Sequence, residues 1–306
     1  MIRNNWHDFL VKYLLLPRLS DFISVGFVTP LLYRRLSLCF TFFYAKIVIY
    51  NTCTMRVFFQ TIFNNFVAFG KIETTIKAIF YWVIVVVGSL IHDFHRPPES
   101  YFSDKENVFN VVFVKSAVAW VFAALTPFVI LTSCMKSQRN TLVFLKDVSR
   151  LVIVFAVWYV VIGIFDFVLE FTGVCEGSEL FSTIESCRTE GLIWKGFDLS
   201  GHCFLLTYLS LVMSEEMQAV CFGRDKTHSL PWKRRFRMAE LLANFFFVCC
   251  CLLMLLWEVM LVCTSIYFHT VETKVIGTLA GIAFWAVTYK FWYEKEGCFP
   301  GIPTKL

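Results

Sequence analysis

From residue 75 onward the chain alternates between long apolar runs and short polar connections. A helix needs about 20 apolar residues to cross the hydrocarbon layer of a bilayer. Six runs approach that length: Thr75–Ile91, Val108–Ser133, Val148–Leu169, Leu199–Met213 with some extension at either end, Met238–Phe268 and Val275–Phe291. A spanning segment must satisfy its own backbone polar groups, so each run predicts a helix. The last contains Gly277 and Gly281, four apart, a face of small residues suited to close helix packing. Residues 1–71 follow another pattern. Leu36–Tyr50 is apolar but short and holds Lys46, and Val57–Phe69 is broken by Gln60, Asn64 and Asn65. That stretch reads as a cytosolic or interfacial extension, with an extra span as the alternative. The expected fold is therefore all-α: a six-helix membrane bundle over residues 72–306, preceded by an N-terminal extension over residues 1–71.

Composition narrows the class without changing it. With 58% hydrophobic residues, 17% charged residues and a mean hydropathy of +0.65, the chain is too apolar for a soluble domain. Its 35 Phe, nine Trp and eleven Tyr suit lipid contact and interfacial belts. The net charge of +5 comes without a basic stripe of interleaved aromatics, so no nucleic-acid partner is expected. Residues 1–20 carry Arg3, Asp8, Lys12, Pro17 and Arg18 and lack the apolar core of a cleavable signal peptide.

The placement of charge sets orientation. Lys136, Arg139 and Lys146, with Arg150 just beyond, mark the connection between the second and third runs. Arg224, Lys226, Lys233, Arg234, Arg235 and Arg237 mark that between the fourth and fifth. The third-to-fourth connection is instead acidic, with Glu176, Glu179, Glu185 and Glu190 against Arg188 and Lys195. Basic loops stay in the cytosol, which makes the acidic loop luminal and leaves both termini cytosolic. Most of the twelve cysteines lie in apolar runs as small hydrophobes. Cys175 and Cys187 flank the acidic loop, where an oxidising lumen would let them pair. Cys249-Cys250-Cys251 has no His or second Cys pair at zinc-ligand spacing, so no metal site is expected.

That topology brings two histidines to one membrane face. His202 lies near the luminal start of the fourth run, and His269 follows the luminal end of the fifth. Polar chemistry at the edge of a bilayer is costly and points to function. Two imidazoles suit phosphoryl transfer, one attacking phosphorus and one protonating the departing oxygen, with no metal or cofactor required. Ser200 and the N–H groups of Gly201 and His202 open the fourth helix, where an anion is favoured. Lys115, in the luminal half of the second run, is the expected cation, because an unpaired ammonium there would be costly. Snorkelling, or pairing with Asp166 or Glu170, is its alternative reading.

Several stretches then carry a resemblance: Pro98-Glu99-Ser100-Tyr101-Phe102-Ser103 to Asn107, Phe113-Val114-Lys115, Gly196-Phe197-Asp198-Leu199-Ser200-Gly201-His202, Tyr267-Phe268-His269, and Gly277-Thr278-Leu279 through Phe291-Trp292-Tyr293. Over residues 72–303 the chain resembles the fat storage-inducing transmembrane family of endoplasmic reticulum proteins. The resemblance implies six spans, a role in lipid-droplet formation, and cleavage of fatty acyl-CoA to acyl 4′-phosphopantetheine and adenosine 3′,5′-bisphosphate on the luminal side. It also implies membrane lipids and neutral lipids as partners. A distant relation to lipid phosphate phosphatases makes His202 the general acid and His269 the nucleophile. The phosphatase pattern is incomplete. Arg96-Pro97 lacks the upstream Lys of its first motif, Leu199 replaces a Pro, and the acid that would orient the nucleophile is displaced to Glu272. Non-catalytic binding of triacylglycerol and diacylglycerol, or phosphatidic acid hydrolysis, are the competing readings.

Overall fold

The computed structural model describes residues 60–95, 97–137, 140–177, 181, 183–224 and 237–303. Two compact units divide the chain at residues 1–62 and 63–306. The expectations for residues 1–59, and for the basic stretch 225–236, lie outside the described residues. Helical residues 60–70 form α1, and α2 runs Thr74–Phe94. A π-helical turn, Phe109–Val114, leads into α3, Ala117–Ser137. The long α4 spans Thr141–Thr172 and ends in a small cap made of β1 (Val174–Glu176), the short α5 (Ile184–Thr189) and β2 (Ile193–Lys195). Then come α6 (Gly201–Arg224), α7 (Arg237–Tyr267) and α8 (Val271–Trp285), the last continued by a π-helical stretch, Ala286–Trp292.

Five of these segments are long and apolar enough to cross a membrane: Thr74–Phe94, Ala117–Ser137, Thr141–Thr172, Met238–Tyr267 and Val271–Trp292. The remaining long helix, α6, carries Ser214-Glu215-Glu216 and is more polar. Its position explains why it tolerates those groups. It packs against α2, α3, α4, α7 and α8, and its side chains from Cys203 to Met213 are buried. Polar residues inside a bundle survive by pairing with one another away from lipid. Lys77 Nζ donates to Ser214 Oγ at 2.9 Å, and Tyr81 Oη donates to Glu258 Oε1 at 3.0 Å. Arg150, 1% exposed, donates through Nε and Nη2 to the two oxygens of Glu216 at 2.7 and 3.0 Å, and through Nη2 to Asp147 at 2.6 Å. Tyr289 Oη adds a third bond to Glu216 at 2.9 Å. Arg150 is thus a buried structural cation, a correction to its reading as a charge bordering a loop. The outer surface is the inverse of a soluble protein, with Phe122, Tyr159, Phe167 and Phe245 exposed, as lipid contact demands.

Helices α6 and α8 approach each other closely. A Cβ on Gly277 would lie 2.5 Å from Ser200 O, and one on Gly281 would lie 3.0 Å from Phe204 O. The two glycines let the backbones meet, as their spacing predicts.

The cap is tied in three ways. A disulfide joins Cys175 to Cys187, closing the acidic loop. Strand β1 pairs antiparallel with β2, Cys175 opposite Trp194. Trp194 Nε1 donates to Leu169 O at 3.1 Å, and Phe197 N donates to Thr172 Oγ1 at 2.8 Å, so the cap is fastened to the end of α4. This ribbon is the one β element among the described residues.

Candidate active site

Helix alternation brings the C-terminal ends of α2, α4 and α7 together with the starts of α3, α6 and α8. At that end Ser200 N donates to Thr273 O at 3.3 Å, stitching the entry of α6 to the first turn of α8. His202 sits one residue into α6, and His269 lies in the three-residue link between α7 and α8. The two rings are close enough to act on each other electrostatically.

His269 holds φ = 60°. Glycine or asparagine usually ends a helix in this left-handed conformation, because a Cβ there crowds the backbone. A histidine kept in that state points to a demand on its ring rather than on the turn. Its Nδ1 lies 3.6 Å from Asp198 Oδ2, an ion-pair separation longer than a hydrogen bond. Burial pushes its pKa below the ordinary histidine value. Asp198 opposes that shift, while Lys105 and Lys274 add to it. The ring is therefore neutral at neutral pH, with Nε2 directed away from the acid that faces Nδ1.

His202 lies within electrostatic reach of His269, Lys115, Asp198 and Lys105. Ser200 is fully buried, and its Oγ accepts from Cys203 N at 3.3 Å, so the hydroxyl caps the helix. The N–H groups of Gly201 and His202 belong to the first turn, where no intrahelical carbonyl reaches them. They remain the anion-seeking donors of the site.

Lys115 stands between the π-helical turn and α3, half exposed, with Nζ 3.0 Å from Glu106 Oε1. It is neither unpaired nor embedded in a span, which corrects the expectation. Its partner is Glu106, not Asp166 or Glu170. A charge that sequence reading missed is Lys105. Asn110 Nδ2 donates to Lys105 O at 2.7 Å, and Asn110 N donates to Asn107 Oδ1 at 2.8 Å, so two buried asparagines fix this loop. Lys105 acts on both histidines. Lys274 was also missed. Fully buried one turn into α8, it donates from Nζ to Ser265 O at 2.8 Å and contributes positive potential at His269. The acid facing the imidazole is Asp198, where sequence comparison pointed to Glu272. Asp198 stands within the Phe197–His202 stretch, but only folding shows that it meets His269. His92 is committed elsewhere: its Nδ1 donates to Ile266 O at 2.7 Å, fastening α2 to α7.

A family model described as fat storage-inducing transmembrane protein matches residues 98–289. The chain belongs to this family. An acyl-coenzyme A diphosphatase FITM2 from Homo sapiens is 36% identical over 243 residues, covering 76% of this chain and 88% of the relative. The Danio rerio protein of the same name is 35% identical over 230 residues, covering 73% and 86%. A second human relative, fat storage-inducing transmembrane protein 1, is 35% identical over 227 residues, covering 72% and 74%. No solved structure matches the chain. Family membership and the apolar helices make this a multi-pass membrane protein.

Proposed function

We propose that this family member is an acyl-CoA diphosphatase of the endoplasmic reticulum membrane, with its histidine end facing the lumen and both termini in the cytosol. What supports the reading is that His202 and His269 lie within electrostatic reach of each other at one end of the bundle, with Lys105 and Lys115 in reach of His202 and a helix start beside it. Relatives named for this activity support it. An oxidising lumen also suits the Cys175–Cys187 bridge.

In this mechanism the neutral His269 attacks one phosphorus of the diphosphate through Nε2, forming a P–N bond as the bridging P–O bond breaks. His202 gives its proton to the departing oxygen, then takes one from the water that cleaves the P–N bond. Asp198 stabilises the charge that develops on His269. Lys105, Lys115 and the N–H groups of Gly201 and His202 hold the phosphoryl oxygens, and the diphosphate supplies the counter-charge that a protonated His202 needs. The acyl chain stays in the membrane. Products are acyl 4′-phosphopantetheine and adenosine 3′,5′-bisphosphate.

The test is turnover of acyl-CoA by the purified protein in lipid nanodiscs, with products identified by mass. His202→Ala and His269→Ala are each expected to abolish turnover while preserving insertion and thermal unfolding. Full activity in either variant rejects the mechanism. Turnover of phosphatidic acid but not acyl-CoA replaces the substrate. Neutral-lipid partitioning without catalysis is the reading left if wild type hydrolyses neither.

A further inference from the structure

A cleft of about 490 Å³ lies against Asp198, the acid that faces His269, and is lined by Leu169, Arg188, Trp194, Lys195 and Gly196. It is built where the cap meets the end of α4. We infer that this cleft is the nucleotide subsite, taking the adenosine 3′-phosphate portion of acyl-CoA, with Arg188 and Lys195 on the 3′-phosphate and Trp194 against the purine. The inference rests on the reaction proposed above and assigns the cap a function that reaction does not use.

Arg188 has no side-chain ion pair or hydrogen bond among the described residues. A guanidinium is the natural ligand for a phosphate monoester, because its planar fork meets two oxygens at once. Lys195 does have a partner: its Nζ lies 2.7 Å from Glu176 Oε1, both side chains well exposed. A solvated pair of this kind holds a lysine weakly, so the ammonium can turn to a dianion in the cleft. The indole of Trp194 is pinned by its bond to Leu169 O, which presents a fixed ring rather than a mobile one. Bases stack on such a ring without sequence-like selectivity.

Charge distribution favours this cleft over its neighbour. A second cleft, of about 560 Å³, shares Arg188 but is lined by Glu170 and Glu185 and repels a phosphate. The chosen cleft has two cations against Asp198, and Asp198 is the group next to the reacting histidine. A nucleotide seated there therefore has its 5′-diphosphate end toward His269. The disulfide supplies rigidity, since it holds α5, and with it Arg188, against the strand that precedes it.

The experiment compares acyl-CoA with acyl-3′-dephospho-CoA on the wild-type protein and on Arg188→Gln, Lys195→Gln and Arg188→Lys, all in nanodiscs. Wild type is expected to show a lower KM for the substrate carrying the 3′-phosphate. Arg188→Gln should raise the KM for acyl-CoA about tenfold, the loss of a charge-assisted bond to phosphate. Its kcat, and its KM for the dephospho substrate, should stay unchanged. Lys195→Gln should do the same to a lesser degree, and Arg188→Lys should restore part of the preference. Equal KM values for the two substrates in wild type overturn the inference while leaving the reaction intact. So does an equal loss on both substrates in Arg188→Gln, since that marks a structural role. Failure of wild type to hydrolyse either substrate removes instead the reaction on which the inference rests.

Discussion

Gly277→Ala tests the claim that helix spacing sets the catalytic geometry. The added Cβ would stand 2.5 Å from Ser200 O, a backbone atom that cannot rotate away, and 3.5 Å from Cys203 Cβ. Ordinary van der Waals contact begins near 3.4 Å, so α8 must retreat from the start of α6 by ~0.9 Å. That movement strains the Ser200–Thr273 bond and separates His202, two residues on, from His269. Overpacking costs about 1–3 kcal/mol of stability, and a misplacement near 1 Å costs on the order of a hundredfold in rate. Gly281→Ala has a milder conflict, with Phe204 O at 3.0 Å and Thr207 Cβ at 3.2 Å, one turn further from the histidines. It should lose rate much less than Gly277→Ala. Gly163, whose Cβ would touch nothing within 4 Å, is the control, and Gly163→Ala should keep full turnover. The assay is kcat on acyl-CoA, measured well below each variant's unfolding midpoint. Retention of rate in Gly277→Ala, or equal losses in Gly277→Ala and Gly281→Ala, refutes the reasoning.

His269→Gly should abolish turnover while melting no lower than wild type, because glycine removes the ~1–2 kcal/mol cost of a left-handed residue. A large drop in unfolding temperature would show that the imidazole is structural. The need for neutral His269 sets the acid limb: activity is lost as pH falls through its pKa, which burial has already moved below the ordinary value, while the need for a protonated His202 sets the basic limb. Asp198 raises the His269 pKa, so Asp198→Asn should carry the acid limb of the kcat/KM profile to lower pH; an upward movement contradicts the pairing. Arg150→Met leaves Asp147 and Glu216 buried without their cation and should cost about 3–5 kcal/mol in thermal unfolding. Turnover per folded molecule should persist, since that network lies at the end of the bundle opposite the histidines.

Hydropathy is a local quantity, summed residue by residue, so the spans were legible in the chain. The expected run Val148–Leu169 lies inside the helix Thr141–Thr172, and Met238–Phe268 nearly coincides with Arg237–Tyr267. Counting crossings was enough to put His202 and His269 at the same end, because parity alone decides which end each occupies. The Gly277–Gly281 spacing likewise announced a close helix contact. Ion pairing is not local, and there sequence reading went astray. Arg150 read as a loop charge because its partner Glu216 is 66 positions away on a helix that only the bundle brings near. Lys115 read as a lone cation because its partner Glu106 reaches it across a π-helical turn that no hydrophobic period reveals. Asp198, Lys105 and Lys274 gather around His269 from three separate segments, and the left-handed backbone of His269 is visible only in the folded link between α7 and α8. Transfer from water to lipid decides which segments cross; distances set by packing decide which charges meet.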